Sequence, residues 1–258
     1  MTELIKQTMK SAFRLFGVDI VRHRKTSEKY PELPLDFDEF STRVFRSVEE
    51  HTMTSPERVY SLIEAVKYVV KNGIGGDFVE CGVWKGGSVM VMAMTLLEMG
   101  ETGRDIYLYD TFAGMSSPTD ADVSYKGTPA RDKYASTLIT DELSEWCLSP
   151  LEEVRRNVLS TGYPEERFHF IEGKVEETIP GVMPDPIALL RLDTDWYEST
   201  KHELVHLYPG VSAGGVVIID DYGQWQGARK AVDEYIAAGR VRMLLNRIDR
   251  TGRIGVKP

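Results

Sequence analysis

Between Phe78 and Ile219, short apolar runs alternate with stretches of helical periodicity, and this alternation leaves few folds open. The runs are Phe78–Gly82, Asp105–Asp110, Arg167–Glu172, Ile187–Leu192 and Gly215–Ile219. Near-continuous apolar strands are buried on both faces, which happens when helices cover both sides of a parallel sheet. Helices are predicted at Pro56–Asn72, Ser88–Met99, Pro150–Ser160, near Glu176, at Glu198–Leu207 and over 226–238. The first is the clearest: Val59, Leu62, Ile63, Val66 and Val69–Val70 share a face, Ser55 is its N-cap, Pro56 its first residue, and Gly73 follows its end. Val241–Leu245 and Arg253–Val256 read as a closing antiparallel pair. The predicted fold is α/β: a Rossmann-like, doubly wound, mostly parallel seven-stranded sheet with an antiparallel last strand, plus an N-terminal helical arm and an inserted cap.

The polar, turn-rich residues 113–148 are taken as that cap, and residues 1–55 as the arm, with 56–258 the main domain. Pro31 and Pro34 break any long helix in the polar stretch 26–55. A net charge of −9 argues against nucleic acid as the main partner. Residues 1–25 are basic by contrast, with Leu4, Ile5, Met9, Phe13 and Phe16 at roughly helical spacing. This arm suits packing on the core or on a second subunit, hence a homo-oligomer, better than a membrane surface. Cys81 and Cys147, the only cysteines, suggest neither a disulfide framework nor a thiolate metal site. They fit a reducing cytoplasm. No apolar run could span a bilayer, and no signal peptide is legible.

Acidic residues end two of the strands: Asp193 in Leu190-Arg-Leu-Asp-Thr-Asp195, and Asp220-Asp221 before Tyr222. Ligands bind at the carboxyl ends of strands in open α/β sheets. Three carboxylates there suit a hard cation such as Mg²⁺, which prefers oxygen ligands. Both Asp220 and Asp221 can reach one ion only if the chain turns between them, which Asp221-Tyr-Gly223 permits. The alternative is that one or two cap the following helices. Asp195, past the strand, suits a helix cap better than a ligand.

The turn after the first strand, Glu80-Cys-Gly-Val-Trp-Lys-Gly-Gly-Ser88, brings backbone close to a ligand and presents a helix N-terminus. Its Gly-x-x-x-Gly-Gly pattern is not the dinucleotide Gly-x-Gly-x-x-Gly. Asp110 closes the second strand where ribose hydroxyls are gripped in such sheets. Glu80, Gly82 and Asp110 together suit a nucleoside cofactor without saying which. A structural glycine turn and a capping aspartate are the plainer alternatives.

Together these motifs resemble the macrocin O-methyltransferase family. The likeness rests on His51-Thr-Met53, Val79-Glu-Cys-Gly-Val-Trp-Lys-Gly-Gly87, Leu108-Tyr-Asp-Thr-Phe112 with Pro118-Thr-Asp120, Leu192-Asp193, and Ile219-Asp-Asp-Tyr222. It implies Mg²⁺-dependent transfer of a methyl group from S-adenosylmethionine to a sugar hydroxyl of a bacterial glycoside, oligosaccharide or polysaccharide precursor. By this resemblance Asp193, Asp220 and Asp221 hold the metal and Asp193 is also the general base. Glu80, Gly82, Ser88, Asp110 and Thr111 line the cofactor site, with Lys174 and Val175 near the adenine. His51-Thr-Met53 closes over the cofactor and substrate, Thr52 and Met53 toward the cofactor and His51 toward the acceptor. Tyr222 and Trp225 could stack on a sugar face or simply pack in the core.

Two other activities fit parts of the chain. Tyr197-Glu-Ser-Thr-Lys201 spells the Tyr-x-x-x-Lys of short-chain dehydrogenases, which suggests an NAD(P)-dependent sugar oxidoreductase. That reading gives Asp220–Asp221 no role, and its glycine fingerprint is incomplete and late in the chain. Catechol-type O-methyltransferases share a similar metal site on the same fold. A partner subunit without activity would have no use for clustered acids.

Overall fold

The computed structural model describes Tyr30 and residues 32–141, 143–239 and 241–258. The basic amphipathic segment lies outside them. A compact unit runs from Leu33 to Pro258. It opens with α1 (Glu39–Val48), which starts past both prolines and is capped by the Asp38 carboxylate accepting from the Ser41 amide at 2.7 Å. The sequence pattern did not mark this helix. It buries Val44, Phe45 and Val48.

In α2 (Pro56–Lys71) the Ser55 hydroxyl accepts from the Arg58 amide at 3.3 Å, the cap its sequence predicts. Then come β1 (Asp77–Cys81), α3 (Gly87–Glu98) and β2 (Ile106–Asp110). The cap follows as α4 (Ala130–Thr137) and a small antiparallel pair, β3 (Leu138–Thr140) with β4 (Leu143–Ser144). After it run α5 (Leu151–Leu159), β5 (Phe168–Glu172), α6 (Val175–Thr178), β6 (Ile187–Leu192), α7 (Tyr197–His206), β7 (Val211–Ile219) and α8 (Gln226–Ala237). β8 (Asn246–Arg247) and β9 (Arg253–Val256) finish the chain.

The seven-stranded sheet has the order β5-β2-β1-β6-β7-β9-β8. β5, β2, β1, β6 and β7 are parallel to one another, and β9 runs antiparallel to both β7 and β8. The closing pair is therefore real, but its first strand lies at Asn246–Arg247 rather than Val241–Leu245. Val241 is instead buried as a core residue, and Leu244 is exposed.

Every residue of β6 is buried, so helices cover both of its faces. Val79, Cys81, Leu190, Leu192, Val217 and Ile219 pack with Leu204, Leu207 and Val232 of the α7–α8 side. Alternation then turns Glu80 and Arg191 to the opposite face, toward α2 and α3. Register sets the strand tips level. Glu80 pairs with Arg191, and Leu192 with Ile219. Past the paired residues the ladder continues, with the Asp193 amide donating to Cys81 O at 2.8 Å and the Asp220 amide to Leu192 O at 2.9 Å. Among the described residues no helix is long and apolar enough to cross a membrane.

Candidate active site

β1 ends beside its parallel neighbour β6, and Gly82 sits where their ends meet. Its φ is +81°, and a Cβ there would run into the backbone carbonyl of Asp193. Only glycine satisfies both conditions. Gly82→Ala is expected to cost about 2–4 kcal/mol and to abolish cofactor binding, as read by thermal melting and by calorimetry with S-adenosylhomocysteine. A variant that melts like the parent and binds normally would refute this account of the turn. Gly87 is constrained in a similar way further along the turn: its amide donates to His51 O at 3.0 Å, and a side chain there would strike His51 and Thr52. That contact seats the His51–Met53 segment on the N-terminus of α3.

Asp110 meets this turn from β2. Its Oδ2 accepts from the amides of Val83 at 2.7 Å and Trp84 at 3.1 Å, and its Oδ1 from Phe112 at 2.8 Å. Trp84 and Phe112 both have positive φ, so the carboxylate holds two strained backbones in place. Burial pushes the Asp110 carboxyl up, against these hydrogen bonds. The residue read from sequence as a ribose grip is thus first an organiser of the turn. Thr111 follows, its hydroxyl donating to Gly114 O at 2.6 Å.

Two cavities open above the strand tips. The larger, about 400 Å³, is lined by His51, Thr52, Met53, Glu80, Gly82, Ser88, Asp110, Asp193, Asp220 and Asp221, together with residues of α2 and the cap. The smaller, about 70 Å³, is lined by Thr111, Gly173, Lys174 and Val175, and shares Gly82, Asp110 and Asp193 with the first. Thirteen of the fourteen residues given a cofactor, metal, acceptor or base role from sequence therefore line one or the other of these two cavities. Tyr222 does not. Its hydroxyl donates to Asp233 on α8 at 2.8 Å and it lines a separate surface groove. The turn at Asp221, whose carbonyl accepts from the Gln224 and Trp225 amides, sends Trp225 into the cavity and Tyr222 away from it.

Asp193, Asp220 and Asp221 each place a carboxylate oxygen within 4.8 Å of the other two. Asp221 Oδ2 is buried and makes no hydrogen bond, as do Glu80 Oε2 and His51 Nδ1. An unpaired buried carboxylate oxygen is costly unless a cation completes it. The donor set, all hard oxygen, fits Mg²⁺.

Two arginines that sequence reasoning passed over run through this cluster. Arg191 is buried near the carboxyl end of β6, donating to Glu80, to Asp193 Oδ2 at 2.8 Å and to Asp220 Oδ1 at 2.6 Å. Its signal was a lone charge inside an apolar strand. Arg58, in the first turn of α2, donates to Asp220 and Thr251, and to Asp249 Oδ2 at 2.8 Å. Burial disfavours both guanidinium charges, but the acids around them more than restore it.

The balance still leaves excess negative charge. Burial and neighbouring acids push Asp193 and Asp221 well above the usual carboxylate range, and Glu80 and Asp195 to about 7. For Asp193, Arg191 opposes that rise.

Asp195 is not the helix cap its position suggested. It has a φ of +69°, lines the larger cavity, and accepts a hydrogen bond from Trp225. The amide of Tyr197 at the start of α7 is satisfied instead by Asp122 of the cap, at 2.8 Å. Asp122 also accepts from Thr119 twice, so the cap and α7 are tied through one buried carboxylate. The cap contributes Met115, Lys133, Trp146 and Cys147 to the cavity wall. Trp146 packs against Trp196 and Trp225, and Lys133 lies 3.9 Å from the Trp146 ring centre. None of these cap residues was singled out from sequence, because their partners lie far off in the chain.

A parallel sheet of this order, with a glycine turn at β1 and an acid-rich cleft at its carboxyl edge, defines the class I methyltransferase fold. The chain belongs to the macrocin-O-methyltransferase (TylF) family, which it matches over residues 8–254, and it is an O-methyltransferase. It is 36% identical over 204 residues to demethyldecarbamoylnovobiocin O-methyltransferase of Streptomyces niveus, covering 78% of this chain and 74% of that one. It is 36% identical over 202 residues to 8-demethyl-8-(2,3-dimethoxy-alpha-L-rhamnosyl)-tetracenomycin-C 4'-O-methyltransferase of Streptomyces olivaceus, again 78% and 74%. The solved O-methyltransferase NovP superposes with a TM-score of 0.70 at 33% identity, over 80% of this chain and 82% of that one.

Proposed function

We propose that this enzyme transfers the methyl group of S-adenosylmethionine to a sugar hydroxyl, with Mg²⁺ held by Asp193, Asp220 and Asp221. The observation that carries the metal is the convergence of three carboxylates with one buried oxygen left unpaired. The sugar reading is supported by family membership and by the Streptomyces olivaceus relative, whose name specifies a rhamnosyl-bearing acceptor.

When bound, Mg²⁺ supplies Lewis acidity that makes a hydroxyl easier to deprotonate, and S-adenosylmethionine supplies an activated methyl group. The chain does the rest. Asp193 faces both cavities and is the general base for the hydroxyl proton, its affinity for protons raised by burial. Gly82, Asp110 and the start of α3 orient the nucleoside, while Gly173–Val175 bound the smaller cavity that suits adenine. Met115, Trp146 and Trp225 give the acceptor an apolar wall that sheds water. If fully ionised, Glu80, Asp193, Asp195, Asp220 and Asp221 outweigh Arg58 and Arg191 by three charges, which a divalent ion and a sulfonium together match.

The oxidoreductase reading loses its motif. Tyr197 donates to Glu234 at 2.7 Å and receives Lys201 at 3.1 Å, and neither residue lines a cavity with the acids. Methyl-labelled S-adenosylmethionine, incubated with a panel of glycosides and with a simple catechol, tests the proposal. Label is expected on a glycoside, lost with EDTA and restored by Mg²⁺. Labelling of the catechol alone, or label transfer indifferent to EDTA, would overturn the acceptor or the metal respectively.

A further inference from the structure

Glu203 of α7 is fully buried, yet it belongs neither to the aspartate cluster nor to either cavity wall. Its Oε1 accepts from the Thr194 hydroxyl at 2.9 Å, and its Oε2 makes no hydrogen bond. Among the described residues no cation forms an ion pair with it. Burial pushes its carboxyl well above the usual range, against the Thr194 hydrogen bond. A carboxyl so placed lowers stability, because burial without a cation or a full set of hydrogen bonds is unfavourable. A leucine of similar size would avoid that cost.

Its neighbours give the acid a use. Thr194 stands between Asp193 and Asp195 and lines the smaller cavity. A Cβ on Gly82 would lie 3.3 Å from the Thr194 nitrogen, and closer still to the Asp193 carbonyl. The acid loop and the glycine turn are therefore packed backbone to backbone. Cys81 immediately precedes Gly82; burial and then Glu203 push its thiol well up, so acid and thiol are neighbours. One side chain from α7 thus bears on two strand tips, that of β1 at Cys81 and that of β6 at Thr194. From the other face of the sheet, Arg191 donates to Glu80 and Asp193. The segment that ends β6 is held from both sides.

We propose that Glu203 is a positioning residue, acting through the Thr194 hydroxyl to hold the Asp193–Asp195 segment against the glycine turn at Gly82. The inference rests on the reading of that turn as the cofactor site and of Asp193 as a metal ligand. It adds the element that keeps the two in register. Glu203 touches neither ligand; it fixes the backbone from which Asp193 projects.

Calorimetry with Mg²⁺ and, separately, with S-adenosylhomocysteine tests the role, set beside thermal melts of the same proteins. Glu203→Leu is expected to bind Mg²⁺ about tenfold more weakly, and S-adenosylhomocysteine more weakly too. It is expected to melt no lower than the parent, because stability and function pull apart at such a position. A residue that only fills the core behaves the other way, its loss lowering the melt and sparing both affinities. Glu203→Gln keeps an oxygen for Thr194 and is expected to recover most of the lost affinity. Thr194→Val is expected to match Glu203→Leu, and the double substitution to be no worse than either, since both cut one link. Parent-like affinities in Thr194→Val, or losses that add in the double substitution, overturn the role, and Thr194→Val decides alone should Glu203→Leu not fold. A parent that binds no Mg²⁺ would strike the metal assignment instead, with the S-adenosylhomocysteine series still deciding for Glu203. A parent that binds no S-adenosylhomocysteine would strike the methyl-transfer reading.

Discussion

Asp193→Asn is expected to lower turnover by at least about 10³-fold while S-adenosylhomocysteine still binds. The substitution keeps the shape of the side chain, and its carbonyl oxygen can still accept from Arg191. It removes the negative charge that would bind the metal and the basic oxygen that would take the hydroxyl proton. Because Asp193 projects from the tip of β6 into both cavities, loss of its charge falls on the reacting centre rather than on the fold. Single-turnover methyl transfer measures the loss, and calorimetry with S-adenosylhomocysteine measures what remains. EDTA on the parent protein is expected to reproduce the defect. Undiminished turnover in the variant would remove Asp193 from the mechanism.

Arg191→Leu is expected to produce the largest loss of stability. Arg191 is the common partner of Glu80, Asp193 and Asp220, and all four lie at the heart of the sheet's carboxyl edge. Removing one member of a buried ionic group leaves the others uncompensated, at a cost of about 3–5 kcal/mol. For a chain of this size that lowers the melting temperature by on the order of 10 °C. The pH dependence has a definite sign. Glu80 already titrates at about 7 in the folded protein, above its unfolded value, so its charged form opposes folding as pH rises. Without Arg191 that opposition grows. The deficit should be widest above about pH 7, and should shrink below it, where Glu80 carries its proton in both proteins. Thermal melts of both proteins across pH decide this; a small deficit that does not vary with pH would show that Arg191 does not neutralise the cluster.

Much of the fold was legible because it depends on local pattern. The apolar runs at Phe78–Cys81, Ile187–Leu192 and Gly215–Ile219 became buried parallel strands, and the helix at Pro56 began at its serine cap. The misplaced strand near Val241 shows the limit of that pattern. An apolar run specifies burial, and whether burial is reached by pairing or by packing depends on neighbours. α1 was missed because its flanking prolines and polar residues obscured a short buried face.

The candidate site divides in the same way. The glycine turn and the acids at strand ends stood out because they break an apolar run where the chain must leave the sheet. Arg58, Lys133 and Trp146 gave no such signal, since each matters only through residues distant in the chain. Tyr222 stood beside the acids in sequence yet the turn at Asp221 carried it to the outer groove.

The sequence by itself determined which segments become strands, which helices cover them, and that acidic side chains end the strands, because hydrophobic periodicity and capping are properties of neighbouring residues. Only the tertiary structure decided that three aspartates meet within 4.8 Å, that two buried arginines run among them, and that a cap well upstream of Asp193 walls the cavity. Those contacts depend on the register of β1, β6 and β7 and on a chain reversal at Asp221, and neither is written in any single stretch of residues.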